Sequence, residues 1–155
     1  MAHLPSQSLH EAFQSVLRKT SLSPVEQAPI LKELLPYAHD YEELVKLLDL
    51  SRDLMCIASL EGKFLWVNEA FERVLGHSKA DLVSRPFFDF IHPDDVEITR
   101  AKLEKLGSGL DVIRFENRYR TKDGGWRRLS WVCPAPRRES EALHAIAQDV
   151  TDQHA

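Results

Sequence analysis

The chain has 155 residues, 43% of them hydrophobic and 28% charged, with a formal net charge of −4. This composition suits one globular domain with some appended structure and excludes an intrinsically disordered chain. With only Cys56 and Cys133, a disulfide framework and a four-cysteine zinc site are also excluded. No stretch approaches the roughly 18 apolar residues that span a bilayer. The start, MAHLPSQSLHEAF, has neither the basic residues nor the apolar run of a secretory signal, so a cytoplasmic, reducing setting is expected. An acidic balance argues against nucleic acid as a partner. The basic cluster Arg114, Arg118, Arg120, Lys122, Arg127 and Arg128 suits an anion partner or, more simply, the solvated face of a hairpin.

In chain order, residues 1–50 read as helix. Ser8 with Glu11 has capping-box spacing, in which each side chain satisfies a backbone N–H left open at the helix start. Leu9, Ala12, Phe13, Val16 and Leu17 follow as one apolar stripe. Ser23-Pro24-Val25-Glu26 repeats the start signal, with proline at the first helical position. Pro29 is expected to interrupt or kink this second helix and Pro36 to end it. Asp40 with Glu43 opens a third, which places Tyr41, Leu44, Val45 and Leu48 on one face. Such short amphipathic helices cannot bury their stripes alone.

From residue 51 the signals mix. Leu54–Ala58 and Phe64–Val67 read as a hairpin turned at Glu61-Gly62. Asn68 can cap a helix over Glu69–Leu75 that Gly76 stops. A short helical turn follows at Ser78–Leu82, then the aromatic segment after Pro86. His92-Pro93-Asp94-Asp95 opens a helix to about Leu106, its two carboxylates at the positive end of the helix dipole. Three strands close the chain: Asp111–Thr121, Trp126–Cys133 across an Asp123-Gly124 turn, and Leu143–Val150. The fold class is α+β, an antiparallel sheet covered by helices on one face.

The strings DLMCIASLEGKFLWVNEAFERVLGHS, RPFFDFIHPDD, FENRYRTKDGGWRRLSW and ALHAIAQDVTD, in that order, resemble the PAS domain of S-box type found in bacterial histidine kinases and diguanylate cyclases. The likeness covers about residues 51–152, leaving 1–50 as an amphipathic helical extension. It implies a five-stranded sheet in the order 2-1-5-4-3 with helices on one face. It also implies a non-enzymatic sensory or dimerisation module that acts on an output domain or a partner kinase or cyclase, as in two-component signalling. Members often carry aspartate at the end of the first strand, where this chain has Ser59; the following turn is kept. A parallel homodimer through the N-terminal helices is expected, with Leu9, Phe13, Val16, Leu17, Tyr41, Leu44, Val45 and Leu48 as interface candidates. The alternative is that these helices cover the outer sheet face of one monomer.

The resemblance also frames the chemistry. Light-sensing relatives place a reactive cysteine after the asparagine that follows strand two; Asn68-Glu69-Ala70 has no thiol there. Haem-binding relatives carry an axial histidine on the long helix, and residues 93–106 have none; His77 and His144 are the remaining ligand candidates. No tightly bound haem or flavin is therefore expected. No metal-ligand spacing and no catalytic motif occurs. A small-molecule ligand between helices and sheet is the live alternative to a solid core. Its wall candidates are Ile57, Trp66, Asn68, Phe71, Leu75, Phe88, Ile91, Phe115, Leu129 and Trp131, with Asn117, Arg118 and Ser130 as polar contacts.

Overall fold

The computed structural model describes residues 18–138 and 142–154. The first expected helix, with interface candidates Leu9, Phe13, Val16 and Leu17, lies outside the described residues. The chain divides into two compact units that part between Leu48 and Asp49.

In the N-terminal unit the two expected helices are one. Helix α1 runs unbroken over Pro24–Leu50, with Pro29 and Pro36 inside it. Each proline deletes one rung of the i→i−4 ladder, and the rungs on either side carry the helix past it. Its start is built as expected. The Ser23 N–H and hydroxyl both donate to Glu26 Oε2 at 2.8 Å, and the Glu26 N–H returns to Ser23 Oγ at 3.4 Å. Continuity changes what the apolar residues can do. Ile30, Leu34, Tyr37, Tyr41, Leu44 and Leu48 now fall on one seam at alternating three- and four-residue spacing, which is heptad spacing.

From Leu54 the chain builds the expected five-stranded antiparallel sheet. Its strands are β1 (Leu54–Ala58), β2 (Phe64–Val67), β3 (Val112–Arg120), β4 (Trp126–Cys133) and β5 (Leu143–Asp149), in the order β2-β1-β5-β4-β3. Between β2 and β3 lie α2 (Glu69–Leu75), α3 (Lys79–Ser84), two 3-10 turns at Phe87–Phe90 and Pro93–Asp95, and α4 (Val96–Gly107). Strand alternation sets the two sheet faces. Leu54, Cys56 and Ala58 point inward with Val67, Phe115, Leu129, Trp131 and Ala147, joining one buried cluster with Phe71, Leu75 and Leu82. On the other face Met55, Ile146, Val132 and Ile113 pair in register as a row across four strands. Ile113, Val132 and Ile146 of that row are exposed.

Two turns need glycine for different reasons. Gly62 has φ +101°, and a Cβ there would sit 2.6 Å from the Phe88 ring. Gly124 has φ +93° with open space around it. Asn68 occupies the expected cap position before α2, but its side chain makes no cap hydrogen bond. It works instead as a clamp across the start of β1: the Met55 N–H donates to its Oδ1 and its Nδ2 donates to the Asp53 carbonyl, both at 3.0 Å. A fully buried amide gains more from two long-range partners than from one orphan N–H at a helix start.

Segment 91–95 lies along the outer edge of β3. Ile91 bridges to Tyr119, the His92 N–H donates to the Arg118 carbonyl at 2.8 Å, and the Arg118 N–H donates to Asp95 Oδ2 at 2.8 Å. The Arg118 guanidinium closes the same contact, its Nε and a terminal nitrogen meeting the two Asp95 oxygens at 2.9 and 2.8 Å. Asp95 therefore serves the strand edge rather than the helix dipole alone, and Arg118 holds its carboxyl below the usual range despite partial burial.

Candidate ligand-binding site

A void of about 70 Å³ lies between α4 and the inner face of the sheet. It exists because the inner face carries small side chains just where α4 passes over it. Cys56 and Ala145 are register partners on β1 and β5, and the Val132–Ile146 pairing puts Cys133 of β4 beside Ala145. Two thiols and a methyl group thus form the floor, with Ala58 next to them. Phe64, Phe87, Phe115 and Trp131 stand around it, and Thr99, Lys102, Leu103 and Leu106 of α4 form the roof.

One chain of hydrogen bonds ties roof to floor. The Trp131 indole N–H donates to Asn117 Oδ1 at 2.7 Å, Asn117 Nδ2 donates to Thr99 Oγ1 at 3.2 Å, and the Thr99 hydroxyl donates to the Asp95 carbonyl at 2.8 Å. Each of these buried groups is therefore satisfied, as buried polar atoms generally are. Tyr119 differs. It is 2% exposed and lines the void, yet its hydroxyl has no hydrogen-bond partner among the described residues. Burial, and to a lesser degree the Cys56 sulfur, pushes its pKa well up. Burial raises the Cys56 thiol strongly and lifts Cys133 to about 11. All three groups are neutral near pH 7. Lys102 supplies the one cation in the lining, with its ammonium 5.6 Å from the centre of the Phe115 ring. No carboxylate among the described residues lies within ion-pair distance of it.

Of the wall residues expected from sequence, Phe115, Asn117 and Trp131 line this void. The others stand elsewhere. Phe71, Leu75, Ile91 and Leu129 are buried in the core away from it; Phe71 packs edge-on against Phe64 at 5.2 Å. Asn68 clamps β1, and Phe88 covers Gly62 beneath the Arg100 guanidinium. Ile57, Trp66 and Ser130 alternate out of phase with the buried positions of their strands and face the opposite side of the sheet. Arg118 is occupied by Asp95. Cys56 and Cys133, expected as apolar filler in strands, are buried there but also border the void.

The remaining candidates also have definite places. His77 contacts the Arg120 carbonyl at 2.9 Å, His92 accepts from the Asp94 N–H at 3.1 Å, and His144 is exposed; none of them lines the void. Within the basic cluster, Arg118, Arg127 and Arg128 pair with Asp95, Asp149 and Glu116. That arrangement fits a cross-braced hairpin face. On α1, Tyr41 and Leu48 are half-buried, Val45 is buried and Leu44 is 60% exposed.

Residues 64–145 match the profile of the PAS fold family. Among curated proteins, White collar 2 protein of Neurospora crassa is 28% identical over 81 residues, 52% of this chain but 15% of that protein. Among solved structures, the PAS domain of an HTR-like protein from Haloarcula marismortui superposes with a TM-score of 0.65 at 19% identity, covering 76% of this chain and 98% of that one. The N-terminal domain of a diguanylate cyclase with PAS/PAC sensor from Marinobacter aquaeolei gives 0.58 at 19% identity, covering 66% and 99%.

Proposed function

The chain belongs to the PAS fold family, and from that premise we propose that it is a non-enzymatic sensory module that biases an output domain or partner through small-ligand occupancy of the void under α4. The void itself carries this reading. A ligand that binds more tightly with the helix displaced than with it seated over the floor would shift the balance toward the displaced position. At about 70 Å³ the space is under half the roughly 150 Å³ of a cavity that takes benzene. It therefore suits a molecule of a few heavy atoms rather than a porphyrin or a flavin. None of the described helices is long and apolar enough to cross a membrane. Titration of the full chain with propan-1-ol tests the reading by NMR. The amides of Thr99, Leu103, Phe115 and Trp131 should shift together and saturate; no shift at any of them would exclude the void as a ligand site.

Pairing of two copies through α1 is the second part of the proposal, supported by the heptad seam. Tyr37 and Leu44 on that seam are 69% and 60% exposed. A parallel coiled coil would bury them and carry a ligand-linked change along the helix. Sedimentation should show a dimer that Leu44→Lys converts to monomer. A wild-type monomer at high concentration would end this part.

A further inference from the structure

We propose that the ligand of the void is a short-chain monocarboxylate, an inference that rests on the sensory reading above and goes on to name the chemistry. Two observations point to it independently. Lys102 borders the void, lies against the Phe115 ring, and has no carboxylate partner among the described residues. A carboxylate beside that ammonium gains a charge-assisted hydrogen bond. Tyr119 is the second. Its hydroxyl makes no hydrogen bond among the described residues, and because burial keeps it protonated it can donate to an acceptor at the void. The other polar groups of the lining, Asn117, Thr99 and the Trp131 indole, are already spent on one another.

The rest of the lining fixes the size and charge of the guest. No second cation among the described residues borders the void, so a dianion or a phosphate would be left partly uncompensated. The floor of thiols, alanines and aromatic rings offers apolar contact only. In about 70 Å³ an alkyl group of a few carbons fills the space while the carboxylate meets Lys102 and accepts from Tyr119.

Calorimetric titration of the full chain with sodium propionate and with propan-1-ol tests this. Propionate should bind at least tenfold more tightly than the alcohol. Lys102→Met should bring propionate down to the level of the alcohol. Tyr119→Phe should weaken propionate severalfold. Equal binding of acid and alcohol to the wild type, or an undiminished preference in Lys102→Met, overturns the carboxylate assignment and leaves the void a neutral-ligand site. Binding of neither compound overturns the sensory reading itself. Lys102 is on a half-exposed helix face, so its variant remains informative if Tyr119→Phe does not fold.

Discussion

Replacing Asn117 by leucine asks how α4 is held. Leucine keeps the branched four-atom skeleton of asparagine, and the adjacent void of about 70 Å³ takes up its extra bulk, so the polar change dominates. The substitution removes the acceptor of the Trp131 indole N–H and the donor to Thr99. The buried indole N–H then loses its acceptor, at about 1–3 kcal/mol. Loss of the second bond adds about 1 kcal/mol, since Thr99 keeps its own bond to the Asp95 carbonyl. The expected loss is about 2–4 kcal/mol, and at roughly 4–8 °C per kcal/mol for a unit of this size the melting temperature falls clearly. Urea unfolding followed by circular dichroism measures it. A double-mutant cycle with Trp131→Phe isolates the indole bond, with an expected coupling of about 1–2 kcal/mol. Hydrogen exchange of the α4 amides should quicken in Asn117→Leu more than that of the β1 and β5 amides. A loss below about 0.5 kcal/mol, or no coupling with Trp131→Phe, would refute the view that this chain of bonds ties roof to floor.

Asp95→Asn should cost about 1–2 kcal/mol at pH 7, because the carboxylate takes three bonds from Arg118. The folded pKa is lowered, so this stabilisation is full above the unfolded value near 4 and disappears as pH falls through the folded value. Wild-type urea midpoints should therefore drop in acid where the variant's stay flat; parallel curves would show the clamp to be idle. Gly62→Ala and Gly124→Ala should separate: both meet a strained positive φ of about 1–2 kcal/mol, but only Gly62→Ala also drives a methyl into the Phe88 ring, so its melting temperature should fall further. The thiols should be silent toward a disulfide reagent at pH 8, where a pKa of about 11 for Cys133 leaves roughly a thousandth as thiolate. Both should react on unfolding, and fast labelling of the native protein would contradict their placement.

The sheet order and each strand were legible because period-two alternation and glycine turns are local signals, and the family strings fixed the pairing. The N-terminal helix reads as two pieces in the sequence for a local reason as well. Proline weakens a helix at one rung, whereas a heptad seam from Ile30 to Leu48 becomes visible only when that rung is ignored. Strand alternation puts Phe115, Asn117 and Trp131 on the inner face, where they border the void. Parity fails at Ile57, Trp66 and Ser130, since one residue's slip exchanges the faces of a strand. Thr99, Lys102 and Tyr119 were missed because nothing in a helix of mixed polarity or a basic strand announces which residues meet across a void. Their signal was available only as spacing: Thr99, Lys102, Leu103 and Leu106 recur at helical period on a single face of α4.

The strap of residues 91–95 along β3 limits how copies of this protein can join. An outermost strand with free peptide groups invites another chain to dock on it as an added strand, the usual route to runaway polymer. Here the N–H and the carbonyl of Arg118 on that edge are already engaged by the protein's own strap, and at the opposite border β2 is only four residues long. Growth of the sheet beyond its five strands is discouraged at both margins. Any assembly is steered toward contacts between side chains, which can be made and released reversibly.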